Sequence, residues 1–567
     1  MYFKNYIGKY FKLFIIGVIL VTCEAICDLL QPLILAQIID VGIKNKDINY
    51  LIQKGMLMMG ITCIGAIFAI SRSIISTNVS QRFARDLRSD LFKVINSYSI
   101  ESIDKISKAS LITRITNDVS QIQQFVNGLM RIIIKAPILC IGSLILAMKM
   151  NFKLSIVLLI AIIIIFIVIF INLKIGTPFF KRVQLSLDDL NSNLSQYLGN
   201  IRIVKLFNRF DYEKNKFEKV NEILATSTNK AMKVSALFRP TITLITNLTI
   251  AIVIYMGSRL FLKGEIEVGV VVAYINYIGR ILTSLLMISH IFNVFIRARA
   301  SSDRIKEVFE LKDDIDSNCS QIINLEGNIE FEDVNFAYND NEYTLKDINF
   351  NIKKGEHIGI IGSTGSGKTT LINLISKFYK IKCGKIKIDN VDLQKLKGEN
   401  VRAYIGLVAQ KSILFNESVA MNIKVGNKNA TLEEVKSVCK ICECDEFINT
   451  LEKGYNQVLG EGGASLSGGQ KQRICIARAL IKKPKILMLD DSFSAMDINT
   501  ENKIKRNIKE SLKDTTYIVI SQKISSIVDM DRIMVIDNGS IVGFDKHENL
   551  IKNSEIYKEI YISQMSI

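Results

Sequence analysis

The fold is decided by one stretch, Gly362-Ser363-Thr364-Gly365-Ser366-Gly367-Lys368-Thr369-Thr370, which has the form G-x-x-x-x-G-K-T. Apolar residues precede it at 358–361 and follow it at helical spacing at 371–375, which predicts a strand, a loop and a helix in that order. Such a loop turns several backbone N–H groups toward phosphate oxygens at a helix N-terminus. We therefore expect Lys368 to reach the β- and γ-phosphates of ATP and the Thr369 hydroxyl to bind Mg²⁺.

The length and the distribution of apolar residues predict a membrane domain followed by a soluble domain. The chain has 567 residues, too many for one core, and its long apolar runs all lie in the first half. The formal charge of +17 does not indicate a nucleic-acid partner. Lys and Arg cluster at the ends of apolar segments, where the positive-inside rule and the anionic headgroups of a lipid bilayer account for them. We expect no disulfide among the ten cysteines.

Apolar segments of the first half are each long enough for the about 20 residues that a bilayer crossing needs. The loops after the second and fourth segments are long and rich in Lys and Arg, which places them and both termini in the cytosol. Their apolar residues recur at helical spacing, so we expect the second to fifth spans to continue as helices beyond the bilayer. Residues 1–12 predict an amphipathic helix on the inner membrane surface. The six predicted spans are 13–39, 56–75, 129–148, 154–173, 237–262 and 268–296.

Two carboxylates, Glu24 and Asp28, lie four residues apart in the first span and therefore share one helix face. Ionisable groups are costly in hydrocarbon and usually face a bundle interior or a wet cavity. Two interpretations stay open. Either the carboxylates line a cavity and favour cationic substrates, or they form internal ion pairs with Arg280 or a neighbouring arginine.

Further motifs lie in a fixed order around the phosphate loop. They are Tyr338 at a strand end, Gln410 in a loop, Leu466-Ser467-Gly468-Gly469-Gln470, Asp490-Asp491 after an apolar strand, and Gln522 after the last apolar strand. An aromatic ring gains about 1 to 3 kcal/mol by stacking on a base. A carboxylate at the C-terminal end of a strand is where this class of fold holds Mg²⁺.

The motif Leu-Ser-Gly-Gly-Gln, between a phosphate loop and an Asp-terminated strand, resembles the signature of ATP-binding cassette (ABC) exporters. The resemblance covers nearly the whole chain and implies a half-transporter: an α-helical membrane domain of six transmembrane helices, and an α/β P-loop nucleotide-binding domain with a helical subdomain. The membrane domain would comprise residues 1–312, a linker residues 313–327 and the nucleotide-binding domain residues 328–567. Residues 110–119 and 199–209 resemble the intracellular loops of these exporters, whose short transverse helices press into the nucleotide-binding domains.

The resemblance also implies a role for each motif. It implies that residues 362–370 bind the phosphates of ATP and that Tyr338 stacks on adenine. It also implies that Thr369, Gln410 and Asp490 bind Mg²⁺. Two such domains close face to face around two nucleotides. Residues 467–470 would therefore contact the ATP that is bound to the other subunit.

Two positions depart from the family pattern. Where the family has Glu after the magnesium-binding Asp, as general base or to orient the attacking water, this chain has Asp491. Where the family has a switch His, this chain has Gln522. Asp is one methylene shorter, roughly 1.5 Å of reach, and Gln cannot carry the charge or the proton of an imidazole. Together with Lys368 these are the candidate catalytic residues, and we expect this chain's own site to bind ATP but hydrolyse it slowly.

That asymmetry resembles heterodimeric multidrug-type exporters, in which a partner half-transporter supplies the missing Glu and His. We expect ATP-driven export of a hydrophobic or amphipathic compound (a drug, lipid or peptide-like molecule) across the cell membrane, with both termini and the nucleotide-binding domain in the cytosol. Two alternatives stay open. One is an ATP-gated regulatory or sensor subunit, and the other is an importer of metal-chelate complexes that has the exporter architecture.

Three cysteines, Cys439, Cys442 and Cys444, form a C-x-x-C-x-C pattern that suggests zinc. No fourth ligand is evident nearby in the sequence, and the neighbouring apolar residues Val435, Val438 and Ile441 favour an ordinary packed helix.

Overall fold

The computed structural model describes residues 3–311, 324–338 and 342–565. Their contacts divide the chain into two compact units: Met1–Asn96 with Ala109–Glu310, and Ser97–Lys108 with Leu311–Ile567. Of the predicted linker, residues 313–323 lie outside the described residues, whereas 324–327 are described and form neither helix nor strand. The exact domain boundaries therefore stay a prediction.

The first unit is helical. Within the described residues, six helical segments are long and apolar enough to cross a membrane, as the hydropathy of the sequence predicts. These segments are Gly8–Ile43, Ile48–Ser97, Lys108–Met150, Phe152–Gly199, Phe210–Leu262 and Val268–Glu310. Most residues of each apolar window are not buried within the chain, which suits helix surfaces that face lipid or another subunit.

The α-helices up to residue 310 are α1 (Phe3–Gln37), α2 (Ile48–Ser97), α3 (Ile100–Ile106), α4 (Lys108–Thr113), α5 (Val119–Gly128), α6 (Lys135–Met150), α7 (Phe152–Gly199), α8 (Ile201–Leu206), α9 (Phe210–Ala236), α10 (Phe238–Leu262) and α11 (Val268–Glu310). Short π-helical turns at Ile38–Ile43, Arg114–Asp118 and Leu129–Ile133 continue the helices beside them. The expected extension of the spans as long helices is confirmed, most clearly by α2 and α7.

The N-terminal segment differs from the prediction of a separate helix on the membrane surface. Helix α1 runs unbroken from Phe3 to Gln37, so the first residues continue the axis of the first span. Their polar groups bind α2: the Tyr6 hydroxyl donates to Asp90 at 2.7 Å, and Lys9 and the Tyr10 hydroxyl donate to Asp86 at 2.5 and 2.8 Å. The aromatic and lysine residues that suggested a membrane surface are thus used in packing against another helix.

One of the two predicted transverse helices lies elsewhere. The short independent helix is α3, whereas residues 110–119 belong to the continuous helical run that leads into α6. The Ser99 side chain caps the start of α3, and Ser107 with φ 71° turns the chain after it. This turn at a serine with positive φ is a local feature that the spacing of apolar residues does not reveal. The second stretch does contain a short helix, α8, which lies within 199–209.

The second unit is built on two sheets. The larger has strand order β10-β9-β3-β8-β7-β6, and the smaller is the antiparallel sheet β2-β1-β4-β5. In the larger sheet, β3, β6, β7, β8 and β9 pair in parallel and β10 is the antiparallel edge strand. Every residue of β7 and β8 is buried, which explains why these strands read as continuous apolar runs. The predicted α/β P-loop fold class is confirmed.

The elements of this unit follow the chain. The strands are β1 (Ile329–Phe336), β2 (Leu345–Ile352), β3 (His357–Gly362), β4 (Cys383–Ile388), β5 (Val391–Asp392), β6 (Ile405–Val408), β7 (Ile486–Asp490), β8 (Thr516–Ile520), β9 (Arg532–Asp537) and β10 (Ser540–Asp545). The helices are α12 (Lys368–Ile375), α13 (Gly398–Tyr404), α14 (Val419–Lys424), α15 (Leu432–Ile441), α16 (Asp445–Asn449), α17 (Gly468–Leu480), α18 (Ile498–Ser511), α19 (His547–Asn553) and α20 (Glu555–Met565). Helices α14 to α17 form the helical part between β6 and β7.

Candidate nucleotide site

The phosphate loop joins the central strand β3 to the N-terminus of α12. Gly365 and Gly367 have φ values of 86° and 103°, a conformation that only glycine adopts without strain. A Cβ at Gly362 would collide with the carbonyl oxygen of Ile536 on β9. The loop therefore keeps its shape through glycines that the neighbouring strand and the local turn both require.

The Lys368 side chain lies inside this loop. Its ammonium donates to the carbonyl oxygens of Gly362 and Ser363 at 3.0 and 2.6 Å, and the residue is only 9% exposed. Burial lowers the pKa of Lys368, and the nearby Asp490 and Asp491 only partly oppose that effect. A buried ammonium that donates only to neutral oxygens keeps an uncompensated charge, which a bound anion would stabilise. The loop therefore fits the phosphates of ATP.

The predicted magnesium ligands meet beside the loop. The Thr369 hydroxyl donates to the Asp490 carboxylate at 2.8 Å, and Asp490, the last residue of β7, is 4% exposed. Burial raises the pKa of Asp490, while the Thr369 hydrogen bond works in the opposite direction. A hydroxyl and a carboxylate at a phosphate loop form the oxygen-rich set that Mg²⁺ prefers, so these residues fit the ion.

Asp491 directly follows β7 and has a left-handed backbone, with φ 47°. Its N–H donates to the carbonyl of Ile520 at 3.0 Å, which fixes the turn against β8. Burial raises the pKa of Asp491, and a hydrogen bond from the Gln410 side chain lowers it in part. The structure thus brings Gln410 into contact with Asp491, the residue after Asp490.

Gln522 follows β8, and its side chain is exposed. The backbone around it is held by α20: the Gln564 amide donates to the carbonyl of Gln522 at 2.7 Å and accepts from the N–H of Ile524 at 2.8 Å. Among the described residues no hydrogen bond joins the Gln522 side chain to the phosphate loop. Sequence reasoning missed Gln564, because nothing near it in the chain marks it as a partner of this strand end.

Tyr338 lies near the start of α12. Its hydroxyl donates to the Thr370 hydroxyl at 3.2 Å, and 47% of the residue is exposed, which leaves surface for a stacked base. Tyr379 packs edge-on against it, with ring centres 5.1 Å apart, and donates to Asp104 of α3 at 2.7 Å. Sequence reasoning missed Tyr379 and Asp104, since they are far apart in the chain and carry no motif.

The signature motif begins helix α17. Ser467 and Gln470 form a capping box, in which the Gln470 side chain accepts from the N–H of Ser467 at 2.9 Å. A Cβ at Gly469 would lie 2.9 Å from the carbonyl oxygen of Ala495, so this glycine allows the loop after β7 to pack closely. In the described part of the chain no hydrogen bond joins residues 466–470 to the phosphate loop. Both halves of an ATP site are therefore present, and each lies apart from the other.

Comparison with known proteins agrees with this geometry. Residues 14–286 match the family described as the ABC transporter transmembrane region, and residues 345–494 match the ABC transporter family. Over 561 residues the chain is 37% identical to an uncharacterized ABC transporter ATP-binding protein, YfiB, of Bacillus subtilis, with 99% of this chain and 98% of the relative covered. The chain belongs to the ABC transporter family.

This ABC transporter has other full-length relatives. It is 30% identical to the putative export ATP-binding/permease protein RP696 of Rickettsia prowazekii, with 99% of this chain and 98% of the relative covered. It shares its fold with a solved bacterial Atm1-family ABC exporter with ATP bound, with a TM-score of 0.83, 24% identity, and coverage of 97% of this chain and 98% of the other. The chain is thus a multi-pass membrane protein of the exporter type.

These findings establish the general activity of the transporter. Its nucleotide-binding domain is that of an ABC ATPase, which binds ATP, typically with Mg²⁺, and couples hydrolysis to transport. ABC exporters work as dimers in the membrane. The signature and the phosphate loop of one chain, which lie apart here, accordingly need a second subunit to meet across a nucleotide.

The carboxylates of the first span are engaged in ion pairs. Glu24 accepts from Arg72 at 2.6 Å and from Lys135 at 2.5 Å, and Asp28 pairs with Lys135 at 2.9 Å and with Arg280 at 3.5 Å. The ion-pair interpretation is therefore confirmed, although lysine contributes as well as arginine. Glu24 and Asp28 are thus already paired with cations, which argues against the interpretation that they select cationic substrates.

The cysteine pattern lies in the hydrophobic core of the helical part. Cys439, Cys442 and Cys444 are fully buried among apolar residues, and burial raises the pKa of the Cys442 and Cys444 thiols. A metal prefers the thiolate form, which this environment disfavours. Among the residues that the structure describes, no group of three or more His, Cys, Asp or Glu side chains is arranged to hold a metal.

Proposed function

We propose that this transporter exports a hydrophobic or amphipathic compound as one half of a heterodimer, and that the ATP site on its own phosphate loop is degenerate. The observation that carries the proposal is the pair of side chains Asp491 and Gln522, placed where the family has Glu and His. Lys368, Thr369 and Asp490 remain arranged to bind ATP and Mg²⁺. The site therefore keeps the groups for binding and lacks those for hydrolysis.

The position of Asp491 supports slow hydrolysis. A general base must come within hydrogen-bond reach of the attacking water, and geometry is decisive before pKa. The shorter Asp side chain loses roughly 1.5 Å of reach, and a misplacement of about 1 Å can lower a rate about 100-fold. The hydrogen bond from Gln410 further commits this carboxylate to a neighbour on its own domain.

The position of Gln522 supports the same conclusion. Gln can donate a hydrogen bond to a phosphate, but it is neutral and does not exchange a proton at physiological pH. Its backbone is held by Gln564, so the strand end is well placed while the side chain lacks the chemistry of histidine.

The signature supports an active role for this chain in a dimer. Ser467, Gly469 and Gln470 are unaltered, and the capping box holds the N-terminus of α17 in place for a phosphate. In a heterodimer they would complete the site whose base comes from the partner. ATP at the degenerate site would then hold the subunits together, and hydrolysis at the other site would reset the closed state.

The proposal includes the domain boundaries and the orientation. It places the membrane domain at 1–312, the linker at 313–327 and the nucleotide-binding domain at 328–567. It puts both termini and the nucleotide-binding domain in the cytosol, which the Lys and Arg content of the long loops supports.

The test restores the two missing side chains. The purified chain alone should show little ATPase, and the double variant Asp491→Glu with Gln522→His should raise its rate by roughly tenfold to 100-fold. The matched control is the same double change made in a Lys368→Ala background, which should stay inactive because the phosphates are no longer held. Rapid turnover by the unmodified chain as a homodimer, indifferent to Asp491→Asn, would contradict the proposal.

A further inference from the structure

A cavity of about 470 Å³ lies in the membrane unit beside the buried ion pairs. Helices α2, α5, α6 and α11 and the π-helical turn Leu129–Ile133 contribute to it. Its polar lining consists of Arg72, Gln123, Gln124, Asn127, Arg131, Lys135 and His290. None of these side chains carries a negative charge, which is unusual for a cavity that contains several cations.

The carboxylates nearest to the cavity are already neutralised. Glu24 and Arg72 are paired with side-chain exposures of 8% and 9%, and Lys135 bridges Glu24 and Asp28. Asp28 also pairs with Arg280. When Arg72, Arg131, Lys135 and Arg280 are counted against Glu24 and Asp28, two positive charges remain uncompensated.

Arg131 carries the unpaired charge at the cavity surface. It is exposed, and the described residues offer it no ion pair or hydrogen bond. Asn127, Arg131 and Lys135 all line the cavity. An unpaired guanidinium within a membrane-spanning helix is costly against lipid, so the Arg131 side chain is directed to water or to a ligand.

Part of the cavity lining is apolar and consists of Ile132, Met287, Ile291 and Val294. The volume lies within the range of about 300 to 1,000 Å³ that is usual for sites of drug-sized ligands. One cavity thus joins an unpaired guanidinium to a hydrophobic wall.

We propose that this cavity binds the anionic headgroup of an amphipathic compound through Arg131, with the apolar body against the apolar part of the lining. The proposal rests on the proposed transport function and gives the substrate its charge class. Carboxylate, sulfonate and phosphate all match the planar guanidinium with two parallel hydrogen bonds. The same headgroup chemistry belongs to soluble anionic amphiphiles and to anionic lipids.

The test measures binding without nucleotide, so that it does not depend on ATP turnover. The full-length transporter is placed in phosphatidylcholine nanodiscs and titrated with two matched fluorescent probes: dansyl-undecanoate and a dansyl-undecyl trimethylammonium. We expect the anionic probe to bind at least about tenfold more tightly than the cationic one. Arg131→Gln should weaken the anionic probe about tenfold, as expected for the loss of one charge-assisted hydrogen-bond pair.

Two further variants serve as controls. Arg131→Lys keeps the charge but loses the planar pair of hydrogen bonds, so it should recover only part of the affinity that Arg131→Gln loses, which also shows that the position tolerates substitution. Lys149→Gln removes an exposed cation near the far end of α6 and should leave binding unchanged.

Replacing part of the phosphatidylcholine with phosphatidylglycerol distinguishes the two sources of the anionic headgroup, a lipid and a soluble amphiphile. Displacement of the probe identifies a lipid headgroup as the occupant, and no displacement identifies a soluble amphiphile.

Equal affinity for the two probes would overturn the proposal, and so would an anionic probe whose binding is indifferent to Arg131→Gln. The second result is expected if a carboxylate of the partner subunit pairs with Arg131 in the dimer. The outcome of this binding experiment does not depend on the outcome of the ATPase test of the proposed heterodimer. A transporter with rapid hydrolysis at its own site refutes the degenerate site and leaves the binding result standing.

Discussion

The phosphate-loop side and the signature side of the nucleotide-binding domain differ in how far their residues depart from the family pattern. On the signature side, Ser467, Gly469 and Gln470 keep the family pattern and form a capped helix N-terminus. On the phosphate-loop side, the groups that bind the nucleotide are in place, and the departures are confined to Asp491 and Gln522. Under the proposed function, nucleotide binding and hydrolysis are separable within one site, because they depend on different side chains.

The largest expected effect is on the signature side. Ser467→Asp keeps the helix cap, since Asp, Asn and Ser cap about equally well, but it adds a negative charge beside the γ-phosphate of the other site. In the purified heterodimer we expect the ATPase rate to fall about 100-fold or more. Ser467→Asn is the neutral control of nearly the same shape. If Ser467→Asp retained full activity, the signature would not serve the site that turns over.

An intermediate effect is expected at the adenine position of the phosphate-loop side. Tyr338→Ala should weaken the binding of a fluorescent ATP analogue to the isolated chain roughly tenfold, through loss of base stacking. Tyr338→Phe keeps the ring and loses only the hydrogen bond to Thr370, so its affinity should stay close to that of the unmodified chain. Equal losses in both variants would show that the hydroxyl, rather than stacking, matters here.

The smallest expected effect concerns the contact between Tyr379 and α3. Tyr379→Phe removes the hydrogen bond to Asp104 while keeping the edge-on packing against Tyr338. We expect a loss of about 1 kcal/mol in the free energy of unfolding and a change in ATP affinity of less than about threefold. Thermal unfolding and ATP titration measure the two quantities. A large loss of ATP affinity would show that this hydrogen bond positions the adenine-binding ring.

Local patterns predicted most of the fold. The apolar spans, the long helices beyond the bilayer and the parallel strands all follow from hydrophobic length and period, because each element must bury or expose its own apolar face. The predictions for residues 1–12 and 110–119 failed in part. In both cases the deciding contacts or turns, such as Tyr6 with Asp90 and the turn at Ser107, are invisible in the spacing of apolar residues.

By itself the sequence determined the fold class, the family resemblance and the two departures at Asp491 and Gln522, since these depend on the identity and order of residues. Tertiary structure decided which charges are paired. Glu24 and Asp28 share Arg72, Lys135 and Arg280 across four helices, and only that arrangement shows that Arg131 is left without a carboxylate among the described residues. Pairing depends on distance in space and on burial, which a one-dimensional pattern of charges does not contain.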